Sequence, residues 1–278
     1  VNGQSSKMHS ILEYFIQGKK SAEFCEDALV ITEHYVAVID GSTSKATRTY
    51  HPTMSNGKLA SETIRTAIGQ LPADATCSNV CKHLTAAIAE QYLRFSADNA
   101  DLLLHLENRI TASAVIYSDF QKEIWMIGDC QCLVYNFLFT NEKPHENLLA
   151  ERRSQELQRL LAEGYTTDFL RENDLGRALI LPDIIASTKQ QNISFAVIDG
   201  FSIAQEHVKR VKVADGSTVV LASDGYPTLC SSLENTEKTL AEIIQTDPLL
   251  MKLHKATKGV AAGQTSFDDR TFVKFLVG

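Results

Sequence analysis

The apolar runs of this chain come in pairs, and the members of a pair are separated by short polar segments. Residues 28–32 and 35–39, 112–117 and 123–127, and 193–198 and 207–213 each read as two short strands joined by a turn. A last pair, 218–223 and 271–277, is separated by a long helical stretch. Such pairing commits the chain to antiparallel sheet, because a short turn can only reverse a strand, whereas a parallel neighbour needs a crossover of a dozen or more residues. Helical periodicity lies between the pairs. Leu59, Ile64 and Ile68 mark one helix over 58–70, and Val80, Leu84, Ala87 and Ile88 mark a second over 78–95. A charged amphipathic helix over 147–163 ends at Gly164, and helices at 234–246 and 248–257 lead back to the final strand. Residues 165–192 have weak periodicity and read as an irregular insertion. The expected class is α+β, with mainly antiparallel β-sheet under helical cover; two sheets between helical layers suit a chain of 278 residues.

Composition narrows the field. A hydrophobic content of 44% supports a substantial core, and the reading is a single domain over 8–278 preceded by a polar extension at 1–7, native or vector-derived. The net charge of −7 argues against a binder of phosphate backbones, so no nucleic acid partner is expected. No apolar stretch has transmembrane length and no signal peptide is visible, so no membrane partner and a cytoplasmic location are expected. The six cysteines read as free thiols, since Cys77 and Cys81 fall in a helical pattern and Cys130 and Cys132 in a strand-like one, away from the Cys-x₂-Cys spacing of zinc modules. Gly41–Lys45 and Ser55–Leu59 both lack the spacing of a nucleotide-binding P-loop, and there is no Gly-x-Ser-x-Gly nucleophile elbow.

Acidic residues stand at the ends of the apolar runs: Glu26 and Asp27 before one, Asp40 after the next, Asp129 after 123–127, Asp224 after 218–223, and Asp268 with Asp269 before the last. In a hairpin the start of the first strand and the end of the second lie at the same sheet edge, which makes Asp27 and Asp40 neighbours. The same reasoning places Asp129 at an open end and brings Asp224 beside Asp268. Carboxylates so gathered repel unless cations share them, and hard divalent cations take oxygen ligands of this kind. The second Val-Ile-Asp-Gly, ending at Asp199 and Gly200, leads into an ordinary strand connection and reads as a turn.

Taken in order, Glu26-Asp27-Ala28, Val38-Ile39-Asp40-Gly41, Gly128-Asp129-Cys130, Ala222-Ser223-Asp224-Gly225 and Asp268-Asp269-Arg270-Thr271 resemble the motif series of the metal-dependent protein phosphatases, the type 2C-like (PPM) family. The resemblance implies an α-β-β-α sandwich with two Mg²⁺ or Mn²⁺ ions, and a third in some relatives, at one end of the sheets. It implies that Asp40 bridges two metals, that the Gly41 carbonyl completes one, that Asp224 and Asp268 ligate the second, and that Asp129 with Asp224 forms a third, looser site. Glu26 and Asp27 would hold metal-bound waters, Asp40 and Asp27 being the carboxylates closest to the chemistry, with Asp269 behind them. The implied reaction is hydrolysis of phosphoserine or phosphothreonine in a phosphorylated protein by a water activated between the cations, with a cognate kinase as the counterpart.

Ser42 stands where some relatives carry a histidine proposed as general acid, and no upstream arginine matches the family's phosphate ligand; Lys19, Lys20, Lys45 and Arg48 are the nearby cations. His34 and His51 read as surface residues. Two alternatives follow: a catalytically weak relative kept as a binding or regulatory module, and a small-molecule phosphatase on the same fold.

Overall fold

The computed structural model describes residues 9–45 and 48–278; the extension expected at 1–7 lies outside them. The strands are β1 (His9–Gln17), β2 (Asp27–Ile31), β3 (Tyr35–Gly41), β4 (Ala112–Ser118), β5 (Glu123–Ile127), β6 (Gln131–Val134), β7 (Phe137–Phe139), β8 (Lys209–Lys212), β9 (Thr218–Ala222) and β10 (Arg270–Val277). The helices are α1 (Asn56–Gly69), α2 (Cys77–Arg94), α3 (Asn99–Leu104), α4 (Glu146–Ala162), α5 (Thr167–Glu172), α6 (Leu175–Ser187) and α7 (Leu233–Thr246).

Two five-stranded sheets form, in the orders β1-β10-β9-β6-β7 and β2-β3-β4-β5-β8, and every pairing is antiparallel. Alternation along each strand then decides the layers. Val36, Val38, Val115, Tyr117 and Met126 point between the sheets and meet Leu221, Val273 and Phe275 of the facing sheet. Their neighbours Ala37, Ile39, Ala114 and Ile116 point the other way and pack under Ile64, Ile68, Leu84 and Ile88 of α1 and α2. On the far side, Val220, Ala222 and Phe272 meet Leu240 of α7 together with Leu250 and Val260. The result is the expected α+β class in a four-layer arrangement. The six cysteines are all free, and no helix of the described residues is long and apolar enough to cross a membrane.

The segments that differ from expectation do so for local reasons. Residues 193–198 form no hairpin with 207–213; β8 takes the edge of β5, and 193–198 touches the sheet through one bridge, Ala112 to Ile198. Asn192 holds that segment, its Oδ1 accepting from the Val197 and Ala204 N–H groups at 3.2 Å each. The expected helix over 248–257 is a series of bends, wound around Asp247, whose carboxylate accepts from the Met251, Lys252 and Leu253 N–H groups. Residues 165–192, read as irregular, contain α5 and α6, capped by Thr166 and Asp174. The sequence reading also missed β1, β6 and β7.

Candidate metal centre

Register brings the first carboxylates together. Asp27 and Asp40 are direct partners across the β2–β3 ladder, and Asp40 pairs in turn with Ser113 of β4. Asp129 follows β5 through Gly128, whose positive φ of 87° turns the chain beside Ser113. Asp224 follows β9 of the other sheet. One carboxylate oxygen from each of Asp40, Asp129 and Asp224 lies within 4.8 Å of the others. All three line a cavity of about 340 Å³ that opens at this end of the sandwich and is walled on one side by α4 and α6.

Each acid is held differently. Asp27, 1% exposed, accepts at Oδ2 from the hydroxyls of Ser223 at 2.7 Å and Thr271 at 2.8 Å, while its Oδ1 is buried without a partner. Burial pushes its carboxyl up to about 7, against the two hydroxyl donors. Asp40 and Asp224 are raised well above the usual carboxylate range by desolvation and then by repulsion, from Asp27, Asp268 and Asp129 at Asp40 and from Asp40, Asp129 and Asp268 at Asp224; among the described residues Asp224 Oδ1 also lacks a partner. Asp129 behaves otherwise. Burial would raise it, but the Lys143 ammonium paired with Oδ2 and the Ser113 hydroxyl donating to Oδ1 at 2.6 Å hold it down.

Asp268 lines the same cavity yet stands apart from the trio. Its carboxylate pairs with Lys258 and with Lys19 at 2.9 Å, and these cations outweigh burial to lower it. Glu26 accepts from Ser55 Oγ at 2.5 Å and from Thr43 Oγ1. Asp269 is a backbone tie, accepting from the Lys19 and Glu26 N–H groups at 2.8 Å each. Gly41 donates its N–H to the Glu26 carbonyl, and a Cβ there would come 2.6 Å from that oxygen, so glycine lets β3 lie against the segment before β2. Ser42 lines the cavity and accepts from Lys45 Nζ at 3.1 Å. Asp199 is buried far from this cluster in an ion pair with Arg109 at 2.8 Å.

This donor set fits a divalent cation. Three converging carboxylates and two orphaned buried carboxylate oxygens are arranged at a cost that cation binding removes, and an all-oxygen set suits Mg²⁺ or Mn²⁺. Sequence reasoning missed the cations around them. Lys143, Arg177 and Lys258 all face the cavity, but no strand end or motif marks them. Of the nearby cations it named, Lys45 lines the cavity, Lys19 binds Asp268, and Arg48 pairs with Asp101 at 3.0 Å. His34 and His51 stay out of the cavity lining, where His145 and His254 appear instead.

No protein-family model matches the chain, and no curated protein does so. Solved structures do match along nearly its full length. PppA, described as a key regulatory component of T6SS in Pseudomonas aeruginosa, is similar at 12% identity and a TM-score of 0.49, over 97% of this chain and 98% of that one. The PPM Ser-Thr phosphatase MsPP from Mycobacterium smegmatis, in complex with cacodylate, is similar at 17% identity and a TM-score of 0.45, over 97% and 100%. The catalytic domain of the serine threonine protein phosphatase PstP, in complex with two manganese ions, is similar at 16% identity and a TM-score of 0.43, over 96% and 98%. The structures that this chain is similar to thus include Ser/Thr phosphatases, MsPP among them being described as a PPM phosphatase.

Proposed function

We propose that this chain is a Mg²⁺- or Mn²⁺-dependent phosphatase acting on phosphoserine or phosphothreonine in proteins. The observation that carries this reading is the convergence of Asp40, Asp129 and Asp224 in one cavity. Asp27 lies directly across the ladder from Asp40. Divalent cations held by these carboxylates supply Lewis-acid chemistry, lowering the pKa of water and neutralising phosphoryl oxygens.

The chain's own groups do the rest. Asp40, Asp129, Asp224 and the Gly41 carbonyl would hold the cations, and Asp268 would join them once its lysines give way. Ser223 and Thr271 fix Asp27 through Oδ2, which leaves its buried Oδ1, behind the cavity lining and across the ladder from Asp40, as the atom that would accept a hydrogen bond from a cation-bound water. Ser55 and Thr43 set the orientation of Glu26 beside it. Asp269 holds Lys19 and Glu26 in place through their backbones.

A second reading, a weakly active relative serving as a binding module, draws support from Ser42 in place of a histidine and from the two ammonium groups on Asp268. Hydrolysis of an aryl phosphate separates the two. With Mn²⁺, turnover is expected that chelator abolishes and that Asp40→Asn and Asp224→Asn each reduce by at least a hundredfold. Turnover independent of metal, or unchanged in both variants, would overturn the phosphatase mechanism, and no turnover with any metal would favour the module.

A further inference from the structure

Two cations of this cavity, Lys45 and Arg177, are in no ion pair among the described residues, although the charges of Asp174 and Asp268 reach Arg177 and that of Asp129 reaches Lys45. Lys45 lines the cavity from the loop after β3 and Arg177 from α6. Among the described residues neither has a carboxylate within ion-pair distance, whereas Lys143 is paired with Asp129 and Lys258 with Asp268. Among the described residues Lys45 donates to Ser42 Oγ at 3.1 Å and, at 3.5 Å, to the Thr43 carbonyl. Arg177 donates NH1 to the Thr257 carbonyl at 2.8 Å. Partly buried charges of one sign, left without an opposite charge, are costly unless a ligand supplies it.

The surroundings make that cost plain. Burial lowers the Lys45 ammonium to about 8, and the next contributions come from Lys143, Arg177 and Lys258; Asp129 opposes them less strongly than any of these. Glu146 of α4 lines this part too and offsets some of that charge, but Lys45, Lys143, Arg177 and Lys258 outnumber it, whereas the Asp40–Asp224 part is negative. The positive character also continues outward. An adjoining cavity of about 220 Å³ is lined by Lys19, Arg171, Arg177 and Lys258, and its acid, Asp174, is already bound to Arg153 at 2.7 Å.

A phosphoryl group at a cation-loaded carboxylate end already has its charge met there. Lys45 and Arg177, in no ion pair among the described residues, are surplus to it. We therefore propose that Lys45 and Arg177 form a clamp for a second anionic group, a carboxylate or a second phosphate, beside the phosphoserine or phosphothreonine being hydrolysed. This rests on the phosphatase reading and names its substrate class: acidic or multiply phosphorylated segments. Guanidinium and ammonium groups both suit such oxyanions, with arginine adding a planar fork.

The test uses three short peptides that share one phosphoserine and carry beside it alanine, aspartate or a second phosphoserine. Binding of non-hydrolysable phosphonate versions of these peptides to Mn²⁺-loaded protein, followed by fluorescence anisotropy, is independent of turnover. The aspartate or bis-phosphorylated peptide is expected to bind about tenfold more tightly than the alanine peptide, and Lys45→Met and Arg177→Gln should each erase that preference. Whichever arm is preferred identifies the anion as carboxylate or phosphate. With Mn²⁺, the ratio of kcat/KM between the preferred and alanine peptides should fall by a similar factor in both variants, and circular dichroism verifies that each is folded. Absence of any preference in the wild-type protein would overturn the clamp. So would a loss in the variants that is equal for all three peptides, because the cations would then be serving the hydrolysed phosphate itself. A preference that persists in a protein with no turnover on aryl phosphate would keep the clamp and sink the phosphatase reading.

Discussion

Asp268 carries two ammonium groups, Lys19 and Lys258, and any cation that uses this carboxylate has to displace at least one of them. The pair with Lys258 is only partly exposed, 27% and 13% for the two side chains, and a pair of this kind is worth about 1 kcal/mol. Lys258→Met should therefore tighten Mn²⁺ binding roughly fivefold, measured by calorimetry on chelator-stripped protein; unchanged or weaker binding would show that Asp268 is no ligand. Asp27 makes a different prediction. Its carboxyl is raised from 3.8 to about 7, so between these values the folded protein keeps a proton that the unfolded chain has lost. Its contribution to metal-free stability is therefore intact below pH 4 and declines as pH rises to about 7. Urea midpoints of metal-free protein should fall less steeply between pH 5 and 7 in Asp27→Asn than in the wild type, by about 2 kcal/mol over that span. Parallel curves would place the shift elsewhere. The acids themselves were legible one by one, because each ends or begins an apolar run. The cations around them were not, since Lys143 and Lys258 sit on irregular segments and Arg177 on a helix whose apolar residues run nearly continuously.

At the scale of the element, the hairpins of the helix-covered sheet were legible because alternation survives on them: Val36 and Val38 face one way, Ala37 and Ile39 the other. Strands β6 and β7 were not, being four and three residues long, too short to show a period. Helix α6 escaped because its apolar residues run nearly continuously and Pro182 interrupts them, although Asp174 marks its start as a cap. The junction of β3 with α1 gives this scale its prediction. Gly41 leaves no room for a side chain against the backbones of Glu26 and Gly57. Gly41→Ala should destabilise the protein by about 1–3 kcal/mol, seen as a lower denaturant midpoint at unchanged slope, and should weaken Mn²⁺ binding at the same time. A variant of wild-type stability would mean that the loop after β3 moves freely, contrary to the close packing observed.

Across the whole molecule, the carboxylate end is assembled from both sheets: Asp27, Asp40 and Asp129 come from one, Asp224 and Asp268 from the other. Hairpin logic could place each acid at an edge but could not show that the edges coincide, because the sheet-to-sheet packing depends on inward side chains contributed by strands far apart in the chain. The order β1-β10-β9 has one more consequence. β10 lies between the first strand and β9, and Asp269 at its start ties down Lys19 and Glu26 near the other end of the sequence. On the ribosome, the helix-covered sheet can close early from neighbouring segments, but β1 must wait without its partner until β10 has emerged. The carboxylate end is thus complete only when β10 has been synthesised, and until then Asp27 and Asp40, already paired across β2 and β3, stand without Asp268.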